Sequence, residues 1–277
     1  MSVPPNTRPP RLFDRALHRK RLDRAARDYA EADFLQRRAA EDVAERLAPI
    51  MRDFPVAVDL SARAGAFREA LEGGDAKGRV GFLVEADLSH RMLSGRAGPR
   101  VVLDEEQLPF ADASLDLVVS TLGLHWTNDV VGALIQVRRA LKPDGLFVGA
   151  LLGGVTLTEL RQSLVAAESE ILGGAGSRVS PFADTADAAG LLQRAGFSMP
   201  VADVDKVTVT YDHPLKLLFD LRQMGETSVL ADRHPKRLTR TLMSRAFEVY
   251  FERFRDEGGR IPATFEIITL TGWAPPN

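Results

Sequence analysis

Apolar positions recur along this chain at two periods, and the change from one to the other outlines its elements. From Arg11 to Ile50 they fall three and four apart: Leu12, Ala16 and Leu22 in one stretch, then Phe34, Leu35, Ala39, Val43, Leu47 and Ile50 in the next. That spacing predicts a helical N-terminal cap over residues 11–50. Beyond it, short apolar runs alternate with helical stretches. Strands are predicted at 56–60, 78–87, 100–104, 115–122 and 146–153, with helices at 63–71, 89–94 and 130–141 between them, and "KPDG" (142–145) is read as a turn.

The run "LDLVVSTL" (115–122) is apolar almost throughout, the pattern of a strand covered on both faces of a parallel sheet. Helices follow at 155–172, 185–195, 215–224 and 235–255, with strands at 201–211 and 263–273. The last strand has few polar residues, which suits insertion between sheet neighbours. Alternation of this kind predicts an α/β fold with a doubly wound, mostly parallel, seven-stranded sheet and right-handed crossovers. Residues 1–10, with Pro4, Pro5, Pro9 and Pro10, are expected to be a disordered or extended lead-in. There are no internal repeats and no Gly/Ser linker, so residues 51–277 are read as one domain carrying a late helical insertion at 213–258.

Composition narrows the chemistry. The chain has 277 residues, 45% of them hydrophobic and 27% charged, with a formal net charge of -2. That balance gives no global positive field for nucleic acid. The absence of cysteine removes disulfides, thiolate nucleophiles and Cys-ligated metals. The five histidines are scattered without metal-ligand spacing, so no metal site is expected. No apolar run approaches the roughly 18 residues of a transmembrane span. Arginines 8, 11, 15, 19, 21 and 24 have the character of an organelle presequence, but Asp14 and Asp23 interrupt them, and a cytoplasmic protein is expected. These arginines read as a solvated helix face, with contact to an acidic partner or peripheral contact with a membrane as the sharper reading.

In doubly wound sheets, ligands bind at the carboxyl ends of strands where the winding reverses. Asp59 and Gly65 fall at the turn after the first strand. Asp87 closes the second, about 20 residues beyond Gly65, the spacing at which an acid meets a ribose hydroxyl. Asp104 and Glu105 close the third, and His125 and Trp126 follow the fourth. Each also has a plain structural reading: Asp87 as a helix cap, Asp104 and Glu105 as solvated turn residues, His125 as a packed core histidine.

The acid of the first strand, Asp87, "LDEEQLPFADASLDLVVSTLGLHWTND" and "RRALKPDGLFVGALLGG" together resemble the class I methyltransferase fold that binds S-adenosylmethionine (SAM). More specific stretches are "LFDRALHRKRLDRAA", "GGVTLTELRQSLVAAESE", "VSPFADTADAAGLLQRAGF", "LRQMGETS" and "PATFEIITLTGW". They are similar to the respiratory complex I assembly factor family that hydroxylates an arginine of an iron–sulfur subunit, over nearly the whole chain. The resemblance implies a Rossmann-like methyltransferase sheet and a bacterial member working in the cytoplasm, on the inner face of the membrane. It implies a cofactor set of Asp59, Ser61, Arg63 and Gly65 at the first turn, Asp87 with Leu88 at the ribose, Asp104 with Glu105 at the adenine, Leu108 to Phe110 beneath the base, and Ser120. His125 and Trp126 would border the donor end as catalytic candidates, and Ser180, Phe182, Met224 and Glu226 would form the substrate or partner surface.

One stretch departs from the pattern. Where the superfamily places glycines at alternate positions, this chain has Ser61, Arg63 and Gly65. A non-glycine residue in the left-handed region costs on the order of 1–2 kcal/mol. Two such positions therefore weaken SAM by about tenfold to a thousandfold. Arg63 either swings away or fills the pocket and pairs with Asp59 or Asp87, and weak or absent SAM binding is expected. Three functions stay open: arginine hydroxylation on an iron–sulfur subunit of complex I; ordinary methyl transfer to a small molecule, carrier-bound acid or protein; and a non-catalytic binding module, with Arg233, Lys236, Arg237 and Arg240 on its partner surface.

Overall fold

The computed structural model describes residues 11–180, 187–232 and 238–276. The expected lead-in over 1–10, together with Phe182, Arg233, Lys236 and Arg237, lies outside these residues. Seven strands form one sheet: β1 (Phe54–Leu60), β2 (Val80–Asp87), β3 (Arg100–Val102), β4 (Leu115–Thr121), β5 (Leu141–Leu152), β6 (Ser198–Tyr211) and β7 (Ile261–Trp273). Their order is β3-β2-β1-β4-β5-β7-β6. The first five strands pair in parallel, and β7 enters antiparallel between β5 and β6. This is the doubly wound sheet that the alternating pattern predicts.

Successive side chains leave a strand on opposite faces, and that alternation divides the core in two. Ala57, Leu117, Val119, Leu146 and Val148 pack on one side beneath α2 (Phe34–Leu47), α3 (Ala66–Gly73), α5 (Thr158–Leu172), α7 (Pro214–Gln223) and α8 (Arg240–Phe254). Val58, Leu60, Val118, Phe147 and Leu151 pack on the other beneath α4 (Val130–Ala140) and α6 (Ala188–Ala195). Every residue of β4 is buried, as its apolar run requires. Its one acid, Asp116, accepts from the Val56 amide at 3.0 Å and from Lys142 Nζ at 2.9 Å.

Three local expectations are corrected. Residues 89–94 form turns and no helix. "KPDG" is absorbed into β5 as a break in register opposite Leu115–Leu117, with Asp144 at φ +59. The following helix begins at Thr158, because Leu157 sits at φ +56. The N-terminal cap forms as expected, from α1 (Arg15–Ala25) and α2. Helix α1 crosses the carboxyl ends of the parallel strands. Its Leu22 and Ala25 pack with Tyr29, Leu88 and Met92, while Phe13 just before it meets Trp126, Val229 and Leu230. Among the described residues no helix is long and apolar enough to cross a membrane.

Candidate functional site

The turn after β1 keeps a left-handed backbone without its glycines. Ser61, Arg63 and Gly65 stand at φ +64, +50 and +83. Two of the three are residues whose Cβ disfavours that region by about 1–2 kcal/mol each, so surrounding contacts must hold them there. Ser61 Oγ donates to Glu105 Oε1 at 2.8 Å, and Gln36 Nε2 reaches the Ser61 carbonyl at 3.4 Å. Gly123 makes room for the serine: a Cβ at position 123 would lie 1.7 Å from Ser61 Oγ. The space beside Gly65 is taken by Arg96, whose guanidinium donates to the Ala64 carbonyl and whose Nε donates to Glu85 Oε1 at 3.0 Å.

Arg63 turns inward. Its side chain is 1% exposed and pairs with Asp87, which is fully buried. Asp87 Oδ2 accepts from Arg63 Nη1 at 2.8 Å and from the Arg63 amide at 3.0 Å, and Oδ1 accepts from the Ser89 amide at 2.7 Å. Burial works against the charge on Arg63, but Asp87, Tyr29, Glu105 and Glu226 lift its guanidinium above the ordinary arginine value. Of the two conformations left open by the sequence, the chain adopts the one that pairs with Asp87. Asp59 plays a different part: neither of its oxygens has a hydrogen-bond partner among the described residues. Burial, then the nearby Glu85 and Asp87, push its carboxyl well above the usual carboxylate range.

The third-strand acids are covered in the same way, by a residue the sequence placed on a solvated face. Arg15 of α1 donates from Nη2 to Asp104 Oδ1 at 2.7 Å, pairs with Glu105, and reaches the Trp126 carbonyl from Nη1 at 3.1 Å. Burial opposes its charge, while Glu105 and Asp104 raise its pKa. His18, one turn later, lies against the Trp126 ring at 5.2 Å and is fully buried. Burial and the charges of Arg63 and Arg15 hold its imidazole well below the usual histidine value. Leu88 packs under α1. Leu108 lies at the edge of the α4 core, its amide bonded to Gln136 Oε1 at 3.0 Å. Ser120 is fully buried, with no hydrogen bond from its Oγ among the described residues.

At the far end of the same edge, His125 and Trp126 converge on one carboxylate. Glu226 Oε2 accepts from Trp126 Nε1 at 2.9 Å and lies 3.1 Å from His125 Nε2. Trp126, Glu226 and Ser180 line a pocket of about 410 Å³ whose walls include Leu157, Leu160 and Leu221. The structure thus brings Glu226 and Ser180 to His125 and Trp126. Met224, expected on the same surface, is instead 4% exposed inside the main core, because its position at the end of α7 turns it under the sheet. Arg240 is exposed.

Arg15, His18 and Arg96 escaped the reading of the sequence. For the first two a signal was present: Arg15, His18, Leu22 and Ala25 share one helical stripe, and two of the four are plainly core residues. Arg96 carries no such local sign.

The methyltransferase domain family matches residues 58–149. The chain is 41% identical to the mitochondrial arginine-hydroxylase NDUFAF5 of Mus musculus, the match covering 95% of this chain and 77% of that protein. The Homo sapiens protein of the same name is 40% identical over 95% and 76%. A malonyl-[acyl-carrier protein] O-methyltransferase of Methylovorus sp. (strain MP688) is 33% identical, covering 95% of this chain and 90% of that one. Among solved structures, the Haemonchus contortus phosphoethanolamine N-methyltransferase 2, in complex with phosphomonomethylethanolamine and S-adenosylhomocysteine, shares the fold. It matches with a TM-score of 0.56 at 15% identity, over 93% of this chain and 60% of that one. The YcgJ protein of Bacillus subtilis does so with a TM-score of 0.56 at 15% identity, over 85% and 98%.

Proposed function

Because this chain belongs to the family of the arginine-hydroxylase NDUFAF5, a family built on a methyltransferase-type domain, we propose that it acts on an arginine of a protein partner and that methyl transfer from SAM is not its principal reaction. The observation that carries this reading is the buried Arg63–Asp87 pair at 2.8 Å. A ribose diol at this turn would need the Asp87 oxygens, and both already accept hydrogen bonds. An adenine beside β3 would meet Asp104, which Arg15 holds. As arranged, the residues do not fit SAM unless both arginines leave, and each departure strands a carboxylate.

The resemblance in the sequence makes an iron–sulfur subunit of respiratory complex I the candidate partner, met in the cytoplasm at the inner face of a bacterial membrane. Hydroxylation inserts one oxygen atom into a C–H bond, a two-electron oxidation for which side chains alone supply no oxidant. The role assigned to this chain is therefore recognition and positioning of the arginine. Deleting the gene and measuring the mass of arginine-containing peptides from the partner tests it. Loss of the mass of one oxygen atom is the expected result, and an unchanged peptide rejects the reading.

The match to malonyl-[acyl-carrier protein] O-methyltransferases over most of both chains favours a second reading, methyl transfer to a carrier-bound acid. Titration calorimetry separates the two. Micromolar SAM affinity in the natural chain supports the methyltransferase, and binding that appears only in Arg63→Gly supports the arginine-directed protein.

A further inference from the structure

The pocket beside Trp126 is apolar along its walls and carries a single carboxylate among its lining residues, Glu226. That carboxylate is fixed. Its Oε2 takes hydrogen bonds from the Trp126 indole and the His125 imidazole, and its Oε1 makes no hydrogen bond to a described residue. Glu226 is 12% exposed at its side chain, so the second oxygen is sheltered from bulk water. In the same lining, Ser180 is 3% exposed and its Oγ likewise has no hydrogen-bond partner among the described residues.

Three cations also line the pocket. Arg178 is held by the buried Glu168 at 2.6 Å, Arg21 has an interaction of its own, and Arg222 is exposed at the end of α7. Around Glu226 the lining is a leucine-walled slot of about 410 Å³, within the range of about 300–1,000 Å³ usual for ligand sites. A guanidinium on a three-methylene stem matches both parts. The stem lies along Leu157, Leu160 and Leu221, and the planar fork donates to a carboxylate oxygen, with the Ser180 hydroxyl as a further acceptor.

We propose that this pocket receives the side chain of a protein-borne arginine and that Glu226 accepts its guanidinium. The proposal rests on the arginine-directed reading and adds the recognition residue. His125 and Trp126 become positioning residues, which aim Glu226 by occupying its other oxygen. A neutral isostere of arginine can donate to the carboxylate but forms no ion pair with it, so the pocket discriminates by charge as well as shape.

The test uses the full chain and two synthetic peptides alike except that one carries arginine and the other citrulline. Calorimetry is expected to show the arginine peptide binding at least tenfold more tightly. Glu226→Gln, which keeps an acceptor for the Trp126 indole, is expected to weaken the arginine peptide by about ten- to a hundredfold and to abolish the preference. Leu218→Trp, which narrows the pocket and leaves Glu226 in place, is expected to reduce binding of both peptides. Near-ultraviolet circular dichroism confirms that each variant is folded. Equal binding of the two peptides to the natural chain, no binding of either, or undiminished arginine binding in either variant overturns the proposal. If Glu226-dependent binding holds and deletion leaves the partner arginine unchanged, the pocket stands and the functional reading fails. If the oxygen addition needs the gene and Glu226→Gln leaves it intact in cells, the pocket fails and the functional reading stands.

Discussion

Arg63 and Asp87 are joined twice through one oxygen: the backbone amide and the guanidinium of Arg63 both donate to Asp87 Oδ2, at 3.0 and 2.8 Å. The contact explains how an arginine holds φ +50 in a turn that favours glycine. It also makes Arg63→Gly informative. The substitution relieves about 1–2 kcal/mol of backbone strain but leaves a buried carboxylate, a loss of about 3–5 kcal/mol. The variant is expected to be less stable by a net of about 1–4 kcal/mol in urea unfolding at neutral pH, and to bind SAM at least tenfold more tightly. Asp87→Asn in the same chain should restore part of the stability and remove the gain in binding. Unaltered SAM affinity in Arg63→Gly would show that the arginine does not obstruct the site.

Arg15 covers the third-strand acids, and its removal should loosen α1 before it unfolds the sheet. Arg15→Ala leaves Glu105, 1% exposed, with one hydrogen bond from Ser61, and it removes the contact of α1 with Asp104 and the Trp126 carbonyl. A loss of about 2–4 kcal/mol is expected, with Glu105→Gln in the same chain recovering part of it. Hydrogen exchange is expected to quicken in residues 15–25 while β1 and β4 stay protected. Uniform quickening across the sheet would mean that α1 is no separate cover.

The sheet was legible in the sequence because each of its signals is local. The apolar run of β4 and the weakly polar run of β7 announce burial within seven and thirteen residues of chain. The strand-end acids were legible for the same reason, since strand ends locate them. What occupies those acids was not, because the partners lie far apart: Arg15 meets Asp104 across 89 positions, and Trp126 meets Glu226 across 100. Ser61 shows the difference clearly. Its serine reads as a lost glycine, while the compensating glycine, Gly123, stands beyond β4 and becomes visible only when the two turns are side by side.

Asp59 should give the chain an unusual dependence on pH. Burial, Glu85 and Asp87 raise its carboxyl, against the weaker pull of Arg68 and Arg63. The folded chain therefore keeps a proton that the unfolded chain releases above about pH 4. That contribution is complete below the unfolded pKa and is lost as pH rises through the folded value, at up to about 1.4 kcal/mol per pH unit. Asp59→Asn removes the titration. Its stability relative to the natural chain is expected to increase steadily from pH 4 upward in urea unfolding, and parallel curves would refute the assignment.

His18 should act with the opposite sign. Burial first, then Arg63, Arg15, His125 and Arg21, hold its imidazole well below the ordinary value, so the folded chain refuses a proton that the unfolded chain accepts below about pH 6.5. The stability it contributes is present above that pH and is lost as pH falls, at up to about 1.4 kcal/mol per unit. His18→Phe keeps an aromatic ring against Trp126 and cannot titrate. Between pH 6.5 and 5 the natural chain is expected to lose stability faster than the variant by that slope. An equal loss in both would place the acid sensitivity elsewhere and leave His18 as packing alone.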